Sequence, residues 1–447
     1  MKHLLPLLLT SIALAKPNFI IFLTDDQGYG DLSCFGGDHV TTPHLDQMAA
    51  EGAKLTSFYV GGPVCTPSRA SLMSGCYPKR IGMTPILLPA SPIGLNPSET
   101  TIAETLKTQG YNTGLIGKWH LGHHPEFSPL EQGFDKFWGI PYSHDIHPFN
   151  PLHGTRFTFP PLPLLDNGEL IEEDPDADYL TKRITTNAIK FIEDNKDDPF
   201  FLYIAHPMPH EPMHASPRFM NQADQETLDL IAQEDGNIDY DNRNRLIKQC
   251  IQEVDWSMGQ ILDTLQALEL DEETFVIFFT DNGPGRSGSA APLKGKKGST
   301  YEGGMRVPAI VRWPGKIKAG QVNDELMTCM DLLPTFAHLA GSNEVPAVDG
   351  KDIWPCLTEG AASPHEEFFY YGGSFIAAVR SGEWKYHLGT APTGPKEPTL
   401  YNLKSDIGER KNVISEHPEL AASLHQRALS FDQDLIKNRR PAGRHVD

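Results

Sequence analysis

The run Gly61-Gly62-Pro63-Val64-Cys65-Thr66-Pro67-Ser68-Arg69-Ala70-Ser71-Leu72-Met73 sets a thiol between a turn and a helix. Two glycines and a proline make the turn. Pro67 suits a first helical turn, where a backbone N–H would be unpaired anyway, and the helix is expected to run on from Ser68. Cys65 then lies at a helix N-terminus, with Arg69 one turn away. The partial positive charge of that end and the guanidinium both favour an anion beside the sulfur. A lone cysteine in such a place is usually just a small buried residue. The reading therefore turns on what partners the rest of the chain supplies.

Four other stretches supply them. The apolar run Asn18-Phe19-Ile20-Ile21-Phe22-Leu23 reads as a buried parallel strand and ends in Thr24-Asp25-Asp26. Two acids at the carboxyl end of such a strand stand where open α/β sheets place ligands. Thr274 to Thr280 is the clearest strand and runs into Asp281-Asn282. Oxygen donors from two strand ends suit Ca²⁺ or Mg²⁺ and not a soft metal. A third strand, Tyr111 to Ile116, leads to Gly117-Lys118-Trp119-His120. In extended chain Lys118 and His120 point to one side. Phe200 to Ala205 ends in a proline-stiffened loop with His206, His210 and His214, and Pro292 to Gly304 is basic and glycine-rich. Each stretch alone reads as a capped turn or a solvated loop. Together, a hard cation, three positive side chains (Arg69, Lys118, Lys297) and two histidines (His120, His210) around one nucleophile describe a site for a tetrahedral oxyanion ester.

The elements that must position these residues alternate. Helices are expected near 42–52, 101–109, 178–193, 245–268 and 331–340, between strands that imply a mostly parallel α/β sheet covered on both faces. Residues 141–175 show no period and read as a long loop able to wall a pocket. After about Trp354 the texture changes to short strands near 368–371, 376–380, 384–387 and 400–403, then a helix over 418–434: a small α+β appendage. The 447 residues carry a formal net charge of −20, which argues against nucleic acid and anionic membranes as partners. Met1 to Ala15 has the basic start, apolar run and small-residue end of a secretory signal. No stretch is long enough to span a bilayer, so a soluble exported protein is expected: periplasmic, extracellular or lumenal. The six cysteines are scattered without zinc spacing, and no disulfide is assigned. The expected division is a signal peptide over 1–15, a catalytic domain over 16–350 and a C-terminal α+β subdomain over 351–447.

Cys65-Thr66-Pro67-Ser68-Arg69 matches the C-x-P-S-R signature of the type I sulfatases, and the chain resembles that family over nearly all of its mature length. The resemblance includes Thr24-Asp25-Asp26-Gln27-Gly28, Gly117-Lys118-Trp119-His120-Leu121-Gly122, Thr280-Asp281-Asn282-Gly283, Gly298-Ser299-Thr300-Tyr301-Glu302-Gly303-Gly304 and Leu400-Tyr401-Asn402-Leu403, in family order. The nearest flavour is the arylsulfatase A and N-acetylgalactosamine-6-sulfatase group.

The resemblance implies an alkaline-phosphatase-like fold. It implies that a formylglycine-generating maturation enzyme oxidises Cys65, and that one Ca²⁺ is held by Asp25, Asp26, Asp281, Asn282 and the modified residue 65. Arg69 would hold the hydrated aldehyde, and Lys118 and Lys297 the sulfate oxygens. His210 fits the family's P-H-x-P stretch better than His206, and Lys297 is preferred to Lys294 and Lys296 because it directly precedes Gly-Ser-Thr. One hydroxyl of the hydrate would attack sulfur with Asp281 as base, and the alcohol would leave with a proton from His210 or Lys297. The second hydroxyl, deprotonated by His120, would then expel sulfate. A serine or thiol has no second hydroxyl and could not do this. The substrate implied is a sulfated carbohydrate or an aryl sulfate. Two alternatives stand beside this reading: a phosphomonoester or phosphonate hydrolase of the same superfamily, and a non-catalytic sulfated-glycan binder in which Cys65 stays unconverted.

Overall fold

Strands Asn18–Thr24, Phe200–Ala205 and Thr274–Thr280 are buried at every position, which is why each reads as an unbroken apolar run. They pair in parallel at the centre of an eleven-stranded sheet, with Phe22 opposite Ile204 on one side and Phe278 on the other. From one edge the order is Gln321–Asn323, Ala53–Tyr59, Arg306–Arg312, Thr274–Thr280, Asn18–Thr24, Phe200–Ala205, Asn112–Lys118, Lys136–Ile140, Pro163–Asp166 and Glu169–Glu173. Met327–Thr328 also pairs with Ala53–Tyr59. These statements rest on a computed structural model that describes residues 16–150, 152–234, 238–344 and 346–446. The signal read at Met1 to Ala15 lies outside the described residues.

Alternate side chains of the central strand feed two cores, as strand geometry requires. Phe19, Ile21 and Leu23 join the helices Cys65–Ser74, Ile102–Lys107 and Leu332–Leu339 on one face. Ile20 and Phe22 join Pro43–Glu51, Leu180–Asp194 and Ile247–Ala267 on the other. Among the described residues no helix is long and apolar enough to cross a membrane. All six cysteines are free.

One edge of this sheet collects the chemistry. The parallel strands put Asp25 and Asp26, Lys118, and Asp281 and Asn282 at their carboxyl ends. Arg306–Arg312 runs antiparallel to both neighbours, so the segment that enters it, carrying Lys297, opens on the same edge. Ala53–Tyr59 points the other way from Arg306–Arg312 and delivers the chain to Cys65 at that edge too.

Three local expectations need correction. The helix begins at Cys65 itself, with Val64 as its cap, so Pro67 occupies the third helical position. Residues 141–175 are not all loop: Pro163–Asp166 and Glu169–Glu173 form an antiparallel hairpin on the sheet edge. The last strand, Glu-Leu-Ile-Glu-Glu, is almost wholly exposed, so burial imposes no alternation on it, and its charges suit an edge. His120 is not extended: its φ is +63°, so it does not simply share a side with Lys118.

The strands Glu367–Gly372, Phe375–Ser381, Trp384–His387 and Thr399–Asn402 form a separate antiparallel sheet in chain order. Helix Pro418–Lys437 packs on it.

Candidate active site

Cys65 is the first residue of a ten-residue helix that is buried throughout, and is itself only 3% exposed. Burial pushes its thiol pKa up, against the pull of Lys118 and Lys297, so the sulfur is a neutral thiol. The neighbouring Thr66 hydroxyl donates to the His120 carbonyl (3.1 Å) and accepts the Leu87 N–H (3.2 Å). That hydroxyl ties the helix start to the His120 turn.

Three carboxylates and three cations interleave at the strand ends. The Arg69 guanidinium, fully buried, donates from Nε to Asp281 Oδ2 (3.0 Å), from Nη2 to Asp25 Oδ2 (3.3 Å) and from Nη1 to the Lys118 carbonyl (3.1 Å). Lys118 Nζ rests on Asp25 Oδ2. Lys297 Nζ donates to Asp26 Oδ2 (2.8 Å). Asn282 Nδ2 donates to Asp26 Oδ1 (2.7 Å), and the Asp26 N–H to Asp281 Oδ1 (3.2 Å). Burial works against ionisation of Asp25, but Lys118, His210, Arg69 and Lys297 outweigh it and hold the carboxyl well below its usual range. Asp281 goes the other way: burial and the Asp25 charge push it up to about 6, despite Arg69 and Lys118.

The two histidines differ. His120 has Nε2 2.9 Å from the Leu87 carbonyl, so that nitrogen carries the proton and Nδ1 keeps its lone pair. Nδ1 is buried with no hydrogen-bond partner. Burial, with Lys118 and Arg69 nearby, holds the ring well below its ordinary pKa, hence neutral. His210 donates from Nδ1 to the Glu211 carbonyl (2.6 Å), and its Nε2 lies 3.7 Å from Asp26 Oδ2. His206 is enclosed elsewhere, bonded to Ser257 and packed against Phe22. Of the basic loop only Lys297 reaches a site carboxylate. Lys294 lies over the Tyr301 ring, and Lys296 donates to the Arg286 and Gly288 carbonyls.

The residues fit a hard dication. Asp25 Oδ1 and Asn282 Oδ1 are buried acceptors without a donor, a state that costs about 1–3 kcal/mol each unless something relieves it. Ligand atoms of Asp25, Asp26 and His210 lie within 4.8 Å of one another, and Asp281 and Asn282 adjoin them through the Asp26 contacts. An oxygen-dominated set of this kind selects Ca²⁺ or Mg²⁺.

Sequence reasoning missed several participants. Gln27 has both side-chain polar atoms buried and unpartnered next to Asp26; its place directly after the acid pair was the available signal. The Tyr203 hydroxyl lies 3.5 Å from Arg69 Nη1, at an alternate position of a strand that reads only as apolar. Asp145 lies 3.9 Å from His210, inside the loop read as a pocket wall.

Comparison with known proteins accords with this geometry. The Sulfatase family profile matches residues 17–342, and the profile described as N-sulphoglucosamine sulphohydrolase, C-terminal, matches residues 296–434. The chain is 37% identical to human (Homo sapiens) arylsulfatase A over 96% of its own length and 90% of that protein. It is 37% identical to N-acetylgalactosamine-6-sulfatase of Mus musculus, covering 94% of this chain and 81% of that one. The crystal structure of Ps i-CgsB in complex with k-i-k-neocarrahexaose superposes with a TM-score of 0.79 at 29% identity, covering 96% of this chain and 95% of that one. The fold is the alkaline-phosphatase-like one of those sulfatases. A sulfate-ester chemistry is thus common to the relatives and to the cation-lined thiol at the sheet edge: the chain belongs to the sulfatase family and is a sulfuric ester hydrolase.

Proposed function

We propose that this protein hydrolyses sulfate esters of sulfated carbohydrates with residue 65 as formylglycine and one Ca²⁺ at the oxygen cluster. The observation that carries the proposal is Cys65 at a helix N-terminus among Arg69, Lys118, Lys297 and three aspartates, with Asp25 Oδ1 and Asn282 Oδ1 left without donors. The hydrated aldehyde and the cation would supply, when present, an oxygen nucleophile with a second hydroxyl and positive charge beside it. Asp25, Asp26, Asp281 and Asn282 would hold the cation. Arg69 locks two of these carboxylates in place from the helix that carries residue 65. Lys118 and Lys297 bring ammonium groups to the edge where sulfate oxygens gain charge. Asp281, raised toward neutrality, takes the proton of the attacking hydroxyl. His210, 14% exposed and at the open side, gives a proton to the leaving alcohol. His120 Nδ1, neutral and unpartnered, takes the proton whose removal lets sulfate go.

Cys65 is buried, so the maturation enzyme must meet it before the chain folds. Export, read from residues 1–15, and the division into 16–350 and 351–447 belong to the same proposal. The small antiparallel sheet, which starts at Glu367 after the large sheet has ended at Thr328, supports that division. The carbohydrate substrate is supported by the oligosaccharide bound to Ps i-CgsB. A two-zinc phosphatase would need further histidine and aspartate ligands. Among the described residues one cluster of three such groups occurs, and it is mainly oxygen.

The test is turnover of purified protein on sulfated carbohydrates and an aryl sulfate, with mass analysis of the peptide carrying residue 65. Sulfate release in proportion to the converted fraction is expected. Converted protein that releases phosphate but no sulfate would favour the phosphatase alternative, and wholly unconverted protein that binds sulfated glycans would favour the binder.

A further inference from the structure

We propose that the open cavity beside His210 seats the alcohol part of the substrate and selects a sulfated sugar whose neighbouring groups are uncharged. This deepens the sulfatase reading and rests on it. The cavity has a volume of about 790 Å³ and is lined by Asp145, Asn150, Tyr240, Asp241 and Arg286, among others. That size lies within the roughly 300–1,000 Å³ typical of small-ligand sites.

Its position follows from His210. Asp145 Oδ1 lies 3.9 Å from His210 Nδ1, while His210 Nε2 lies 3.7 Å from Asp26 Oδ2. The ring therefore stands between the cavity wall and the cation site. The opposite wall is as close: a Cβ on Gly285, next to Arg286, would be 3.4 Å from both Asp26 Oδ2 and Glu211 Oε1. Since His210 Nδ1 is spent on the Glu211 carbonyl, a leaving oxygen takes its proton from Nε2 on the cation side of the ring, and the sugar attached to that oxygen reaches past the ring into this cavity.

The lining decides what kind of sugar. Asp145, Asp239 and Asp241 bring three carboxylates. The cation among the lining residues, Arg286, is already held by Glu211 (3.1 Å) and lies 3.9 Å from Asp241. Sugar hydroxyls and amide N–H groups can donate to the open carboxylate oxygens of this wall, the side chains of Asp145 and Asp241 being 19% and 90% exposed. A uronate carboxylate or a second sulfate offers only acceptors, and brings a like charge against three aspartates, while the cation among the described lining residues, Arg286, already pairs with Glu211.

Binding to a Cys65→Ala variant tests this without turnover. Two sulfated disaccharides that differ in one group, a hexose or a uronate beside the sulfated sugar, are titrated calorimetrically in low salt. The neutral one should bind about tenfold tighter, with the ratio shrinking in added salt. It should also shrink when Asp241→Asn and Asp145→Asn are added. Asp241 has its side chain 90% exposed, so that single substitution cannot act through the fold, and circular dichroism checks the double. Equal binding, tighter binding of the uronate, or a ratio unmoved by the asparagines would overturn the inference. If neither sugar binds while converted wild type hydrolyses an aryl sulfate, the cavity assignment falls and the sulfatase reading stands. A binding preference in a converted, calcium-loaded protein that hydrolyses no sulfate ester removes that reading instead.

Discussion

His120 has one nitrogen committed to a backbone carbonyl and one left free in a dry pocket, an arrangement suited to accepting a proton and to little else. If it serves sulfate release, His120→Ala should leave the first step intact and slow the second by about 10²–10⁴-fold. Rapid-quench kinetics would then show one burst of alcohol per active site with sulfate retained by the protein. A fall in turnover without a burst would move His120 to the earlier step. Cys65→Ala removes the proposed nucleophile from a helix start that keeps its other contacts, so activity should drop by at least about 10³-fold while thermal unfolding hardly moves. Full activity in that variant would end the mechanism. The two orphan oxygens make a third prediction. Ca²⁺ should raise the unfolding temperature of the wild type, by an amount equivalent to about 2.7 kcal/mol at a hundredfold excess over the dissociation constant. Asn282→Ala, which deletes one orphan, should blunt that rise. An equal rise in both proteins would place the ion elsewhere.

Lys297 is presented by a loop, and the loop is held by the second sheet. Gly295 and Gly298 sit at φ +87° and +81°, which lets the chain double back. The Gly298 N–H donates to the Pro63 carbonyl (2.7 Å), so the lysine loop is pinned to the turn before Cys65. Behind it, buried Lys385 of strand Trp384–His387 donates to the Thr300 carbonyl and to Glu302 Oε1, and pairs with Glu409 (3.0 Å). Lys385→Met would take the shared ammonium from two buried glutamates, leaving Glu302 to Arg306 and two tyrosine hydroxyls and Glu409 to His387, and should cost about 3–5 kcal/mol. Burial raises the Glu302 pKa, but Lys385, Arg306 and Arg380 outweigh it and depress the value from an ordinary 4.5. A depressed carboxyl contributes stability above its unfolded pKa and loses it as pH falls. The gap between wild type and Lys385→Met should therefore be largest near pH 7 and narrow in acid below about pH 4.5, as read by urea unfolding. A gap constant with pH would mean lost packing, not a lost ion pair. This brace shows where sequence reading stopped. Asn18–Thr24 and Thr274–Thr280 are legible because every position is buried, and Asp25 and Asp281 follow them directly. Lys385 and Glu302 stand 83 residues apart, each an ordinary charge in its own stretch, and only the fold makes them a pair. The strand order and the hairpin over 163–173 were hidden for related reasons, since pairing is non-local and an exposed edge carries no hydrophobic period. The left-handed turn at His120 was hidden too, because nothing in Trp-His-Leu requires it.

The whole molecule carries a formal charge of −20, yet its active edge presents Arg69, Lys118 and Lys297. A substrate sees these fields at different ranges. A small aryl sulfate near the site meets mainly the local cations, and salt should weaken that attraction modestly. A long sulfated polymer must bring many charges close to an acidic surface before one sulfate reaches the pocket. At about 0.01 M salt the screening length is roughly 30 Å, comparable to the molecule, and at about 0.1 M it is roughly 10 Å. Raising salt across that range should therefore raise kcat/KM for a sulfated polymer and leave it unchanged or lower for the aryl sulfate. The opposite slopes separate net charge from site charge, because a general salt effect on folding or calcium affinity would move both substrates the same way. Polymer turnover that falls steadily with salt would mean that a cationic track on the surface, and not the net charge, governs approach.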